Sequence, residues 1–193
     1  VEFDGARYKL PRPGGTGFGK PLKSITHPLR ANLPIYLAAE GPKNVALSAE
    51  IADGWLPMFY APRSEGHYRA AMAEGFARPG ARRGPDDFEV ACLVPVIIAD
   101  DVEAAADVYR PMLALYVGGM GAREINFHND VFARMGYEAE AKQIQDLYLD
   151  GKKDEAAAAV PAEMLRLQNL VGPKSLIKER LGAFKEAGVT VLQ

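Results

Sequence analysis

An unbroken apolar run that stops at Glu-Gly-Pro limits the possible folds of this chain more than any other feature. Leu33-Pro-Ile-Tyr-Leu-Ala-Ala39 shows no alternation of polar and apolar residues, the pattern of a parallel strand covered on both faces. Glu40 and Gly41 follow where such a strand ends. Pro42 then stands at the first helical position, where its missing N–H costs nothing. A helix over 42–52 leads through Asp53-Gly54 into a second strand, 54–57. Strand, tight turn, helix and strand make a βαβ unit, the building block of parallel sheets.

The same alternation continues downstream. Ser64 is placed to cap a helix to about Arg78, with Tyr68, Met72 and Phe76 at every fourth position. Pro79 to Pro85 ends it, and 88–98 reads as a long strand. Asp100 or Asp101 caps the next helix, which carries Val102, Ala105, Tyr109, Leu113 and Tyr116 along one side and is split by Pro111. Gly118-Gly-Met-Gly121 breaks the pattern. Residues 118–161 read as helices only, over 138–149 and 152–160, with Pro161 as the stop. Leu176, Ile177, Leu181 and Phe184 give the last helix an apolar face, Gly188 ends it, and 189–193 is the final strand. Residues 10–32, rich in Pro and Gly, read as loop.

Composition excludes several classes of function. A net charge of −2 argues against nucleic acid or an anionic membrane surface as a bulk partner. No apolar run approaches the roughly 20 residues of a membrane helix. Cys92, the single cysteine, lies among Val, Leu and Ile in 88–98 and reads as a small core residue, which points to a reducing, cytoplasmic setting. His27, His67 and His128 show no metal-ligand spacing, so no metal is expected.

Longer motifs carry a resemblance. Pro-Ile-Tyr-Leu-Ala-Ala-Glu-Gly-Pro-Lys, then Ala-Asp-Gly-Trp-Leu-Pro, resembles the luciferase-like monooxygenase superfamily, above all its branch that uses the deazaflavin coenzyme F420. Val1-Glu-Phe-Asp-Gly-Ala-Arg-Tyr is similar to the segment before that family's fifth barrel strand. Leu115-Tyr-Val-Gly-Gly-Met-Gly-Ala-Arg and Asn126-Phe-His-Asn-Asp-Val-Phe-Ala-Arg-Met-Gly-Tyr are similar to its late helical insertion. Leu170-Val-Gly-Pro-Lys and Ala187-Gly-Val-Thr-Val-Leu are similar to its last helix and strand. The resemblance implies the C-terminal half of one (β/α)8 TIM barrel: 1–32 as connecting loop, 33–117 as barrel units, 118–161 as a helical insertion before the last barrel helix, and 170–193 as last helix and strand. A fragment of a longer chain is expected from the Val start and from a stop just inside the last strand.

The resemblance also implies a chemistry. It places cofactor phosphate and side chain against the turn Ala39, Glu40, Gly41, Lys43 and Asn44. There Gly41 permits close approach, and the helix start with Lys43 favours an anion. Glu40 departs from the small residue that relatives often carry, and its side chain is expected to point away. Met58 and Phe59, past the next strand, are substrate-pocket candidates and equally good core fillers. His128 and Asn129 are candidates for catalysis in a polar loop, where Asn129 or Asp130 also serves as a helix cap. Asp53 reads as a residue of the strand entry. The implied reaction is hydride transfer between coenzyme F420 and a small organic substrate, in a homodimer or higher homo-oligomer. Two alternatives stand beside it: an FMN-dependent monooxygenase of the same superfamily, and a non-catalytic half-barrel that binds a partner or self-associates.

Overall fold

The computed structural model describes residues 2–21 and 23–193. Val1 and Leu22, which belong to the expected connecting segment, lie outside the described residues. The chain divides into two compact units, Val1–Leu33 and Pro34–Gln193. In the first, β1 (Phe3–Asp4) pairs antiparallel with β2 (Lys9–Leu10), and Lys9 meets Asp4 at 2.5 Å. This small hairpin is absent from the sequence reading, because two-residue strands leave no periodic signal. The described residues of 11–33 form no strand or helix, as the Pro/Gly content implies.

The second unit is built on a parallel sheet in the order β3-β4-β5-β8. Its strands are β3 (Tyr36–Ala38), β4 (Gly54–Leu56), β5 (Glu89–Cys92) and β8 (Val191–Leu192). All four fall within the strands expected from sequence. Between them run α1 (Pro42–Ile51), with Pro42 in its first turn, and α2 (Glu65–Phe76). Asp53 anchors the strand entry. Its carboxylate accepts the Ile35 N–H and the Arg82 side chain at 2.8 Å each, with Arg83 at 2.7 Å. Those contacts, the Arg82 hydrogen bond foremost, hold its carboxyl well below the ordinary carboxylate range. Asp53 therefore works at the N-terminal side of the sheet.

The expected long strand 88–98 is two strands. β5 ends at Cys92, and β6 (Val96–Ile98) resumes after Pro95, which has no N–H to give a ladder. β6 then leaves the main sheet and pairs in parallel with β7 (Leu170–Gly172). The sequence reading treats 170–172 as the approach to the last helix, so β7 is a correction. Three residues are too few for either periodicity to register.

Between β6 and β7 the described chain is helical: α3 (Val102–Asp107), α4 (Arg110–Ala114), α5 (Phe127–Phe132), α6 (Glu138–Leu149), α7 (Lys153–Ala158) and α8 (Ala162–Arg166). Asp101 caps α3 by accepting the Glu103 and Ala104 amides. The cap of α5 is Asn126, whose Oδ1 accepts from the His128 and Asn129 amides; neither Asn129 nor Asp130 has that role. Ser64 makes no side-chain cap on α2 and closes a short 3-10 turn, Pro62–Ser64, instead. α9 (Lys174–Glu186) ends at Gly188, whose φ of +85° only glycine adopts without strain. Trp55, Tyr68, Phe88 and Phe184 form the core between the sheet and its helices. Leu113, Phe132, Ile144 and Met164 form a second core within the helical segment.

Candidate functional site

The C-terminal ends of β3 and β4 lie side by side, in register from Tyr36↔Gly54 to Ala38↔Leu56. The chain leaving β3 makes the turn Ala39–Glu40–Gly41 and enters α1. Ala39 is buried, and its carbonyl accepts the Trp55 indole N–H at 2.8 Å, which fastens the turn to β4. Gly41 is the N-cap, with extended backbone and no side-chain cap. Its carbonyl accepts both the Asn44 and Val45 amides at 3.0 Å. The Asn44 N–H is thus turned inward and is not open to a ligand at the helix start. Among the described residues Gly41 and Lys43 take part in no turn hydrogen bond through their N–H groups, and Pro42 has no N–H. No acidic residue stands in the first turn of α1, and a Cβ placed on Gly41 would meet no atom within 4 Å. Lys43 and Asn44 are exposed. An open, uncapped helix start with two amides to give is suited to an anion.

Glu40 points elsewhere. Its Oε1 accepts the Met58 amide at 2.8 Å, so the carboxyl bridges the chain leaving β3 to the chain leaving β4. Its Oε2 is buried with no hydrogen-bond partner among the described residues. Burial lifts the Glu40 carboxyl to about 7, against the pull of the Met58 and Phe59 amides and of Arg134. Arg134 in turn donates to the Glu40 carbonyl at 3.3 Å. Tyr68 lies in the same region, buried, with its hydroxyl pushed up to about 12 by that burial.

The other expected site residues are placed as follows. Met58 is partly buried, and Phe59 is in the core, its ring within 5.5 Å of the Tyr116, His128 and Phe132 rings. His128 is buried among Phe59, Tyr116 and Phe127, its Nδ1 without a hydrogen-bond partner among the described residues, and burial pushes its pKa down. Asn129 is committed to packing: its amide donates to the Val117 carbonyl at 3.1 Å and the Ala141 carbonyl at 2.8 Å. The sequence reading does not place Arg134, Tyr68 or Arg63 at the site. They are distant in sequence from the β3–α1 turn, and no spacing links an arginine after α5 to a strand end. Among the described residues no group of three or more His, Cys, Asp or Glu side chains is gathered to hold a metal. No helix among them is long and apolar enough to cross a membrane.

Comparison with known proteins gives the family and the fold. The model of the luciferase-like monooxygenase family matches residues 1–191. Over all of its length the chain is 52% identical to a putative coenzyme F420-dependent oxidoreductase of Mycobacterium tuberculosis, covering 56% of that protein. It is 25% identical to a 5,10-methylenetetrahydromethanopterin reductase of Archaeoglobus fulgidus over 98% of the chain and 53% of the relative. The chain therefore spans about half the length of these curated relatives. The solved coenzyme F420 dependent tetrahydromethanopterin reductase of Methanopyrus kandleri superposes with a TM-score of 0.67 at 24% identity, over 83% of this chain and 44% of that one. The parallel sheet and its helices are part of a TIM barrel, and such barrels place their active sites at the C-terminal ends of the strands. The turn after β3 and the chain after β4 stand at those ends.

Proposed function

This chain belongs to the luciferase-like monooxygenase family, and from that premise we propose that it serves an oxidoreductase that transfers a hydride between coenzyme F420 and a small organic substrate. The observation that carries this reading is the turn after β3. An uncapped helix start, free of acidic residues and open at Gly41, stands where the barrel puts its ligands. The 52% identical relative, named as F420-dependent, supports the choice of cofactor.

In this reading the cofactor supplies the hydride chemistry, and the protein supplies placement and electrostatics. The Gly41 and Lys43 amides and the Lys43 ammonium hold an anionic group. Ala39, tied by Trp55, and Glu40, tied to Met58, keep the two strand ends in fixed relation. Asn44 lines the exposed side of the same helix start. Met58 borders the substrate side, with Phe59 behind it as packing. His128, buried and held neutral, shapes that wall from α5.

Titration of the whole protein with F420 and with FMN, followed by fluorescence quenching, tests the assignment. Tighter binding of F420 is expected. Equal or tighter binding of FMN would replace it with the flavin-dependent alternative.

A further inference from the structure

Beside the cofactor turn lies a cleft of about 560 Å³. One wall is the chain after β4 and the start of α2, with Arg63, Ser64, His67 and Tyr68. The other is the end of α5 and the turn after it, with Arg134 and Met135. All the ionisable groups lining it are basic or phenolic, and no carboxylate does.

The two guanidinium groups are held in an unusual manner. Arg63 donates to the Met135 carbonyl and lies over the Tyr137 ring, 4.9 Å from its centroid. Gly136, the residue after that carbonyl, has a φ of +89°. Arg134 donates to the Glu40 carbonyl. Neither arginine forms an ion pair with a carboxylate among the described residues. The acid nearest the cleft wall in sequence, Glu65, is paired with Arg69 instead. A guanidinium carries five N–H donors in a flat fork. Tethered by carbonyls and by tyrosine hydroxyls, Tyr137 at Arg63 and Tyr68 at Arg134, both keep their charge and spare donors for something else.

We propose that this cleft binds an anionic group, a phosphate or a carboxylate, of a ligand seated at the strand ends. Two guanidinium forks from separate elements, facing one cleft without an acid between them, match the planar oxygens of such a group. Arg134 also touches the backbone of Glu40, so an anion in the cleft adjoins the turn assigned above to the cofactor. The anion has two sources that share this chemistry: the acidic side chain of the cofactor, or an acidic substrate. Only that choice rests on the proposed function.

The test begins without cofactor. Inorganic phosphate is titrated calorimetrically into the whole protein and into Arg63→Gln, Arg134→Gln and the conservative Arg63→Lys and Arg134→Lys variants, each checked for folding by circular dichroism. Saturable binding is expected, weakened about tenfold by either Gln variant and less by the Lys variants, which keep the charge but not the fork. No saturable binding to the wild-type protein, or equal binding to all variants, overturns the proposal. If one Gln variant does not fold, the other Gln variant and the wild-type titration still decide it. The titration is then repeated with F420 present. Loss of phosphate binding, with weaker F420 binding by the Gln variants, assigns the anion to the cofactor. Phosphate binding that persists beside F420 assigns it to the substrate. A protein that binds phosphate through these arginines but not F420 refutes the cofactor assignment and leaves the cleft standing.

Discussion

Glu40 concentrates the physics of the site in one side chain. It sits in the turn that the sequence marks as a phosphate cradle, where a carboxylate would repel the ligand. The fold resolves the conflict by sending the carboxyl to the Met58 amide. The cost is burial, which lifts its pKa to about 7. In the unfolded chain the same group titrates near its ordinary value of about 4.3. Between those values the folded state binds more protons, so stability is full below about 4 and falls as pH rises through about 7. The loss is on the order of 3 kcal/mol. His128 has the opposite sign: its lowered pKa removes stability as pH falls below about 6.5. The difference between wild type and Glu40→Gln therefore isolates Glu40. Urea unfolding at about pH 5 and about pH 8 should show the wild type losing stability relative to the variant. Parallel curves would mean that the carboxyl is not buried as described. Lys43 gives a second prediction at this scale. Lys43→Ala should weaken F420 binding by roughly 1–2 kcal/mol and reduce its dependence on salt. Unchanged affinity across salt would make Lys43 an ordinary surface residue.

At the scale of elements, α1 and α2 pack so closely that one residue sets their distance. A Cβ on Gly75 would stand 2.0 Å from the Ala46 carbonyl oxygen and 2.7 Å from the Ala49 Cβ. Backbone cannot yield as a flexible side chain does. Gly75→Ala should therefore destabilise the protein by about 1–3 kcal/mol, although alanine is the better helix former. Thermal unfolding measures this, and a stabilised variant would show that the helices separate without loss. The helix starts were partly legible. Pro42 and Asp101 stand where their local chemistry puts them. The α5 start lies three or four residues before the cap read from sequence, because Asn126, Asn129 and Asp130 are all good caps and only packing chooses among them. Asn126 wins because its Nδ2 also reaches the Val117 carbonyl at 2.9 Å, while Asn129 is drawn to the carbonyls of Val117 and Ala141.

At the scale of the whole molecule, the main sheet of the described residues ends on β3 and β8, each with one unpaired edge. Ile35, Leu93, Val96 and Ile98 are each more than half exposed. Unpaired edges and exposed apolar side chains promote association. A polypeptide of residues 1–193 should self-associate and bind F420 weakly. Light scattering and a cofactor titration check this, and a stable monomer with full oxidoreductase turnover would contradict it.

The amino-acid sequence by itself determined the four parallel strands of the main sheet, the helices between them and the turn after β3. Those features rest on local causes: apolar runs, Pro at a helix start, Asp at a cap. Only the tertiary structure decided the rest. It broke 88–98 at Pro95 and paired β6 with Leu170–Gly172, a match between segments more than 70 residues apart. It turned the Glu40 carboxyl inward and brought Arg63 and Arg134 to one cleft. Such outcomes depend on which surfaces meet. No periodicity records that, because the energy of a contact belongs to both partners and the sequence shows each of them alone.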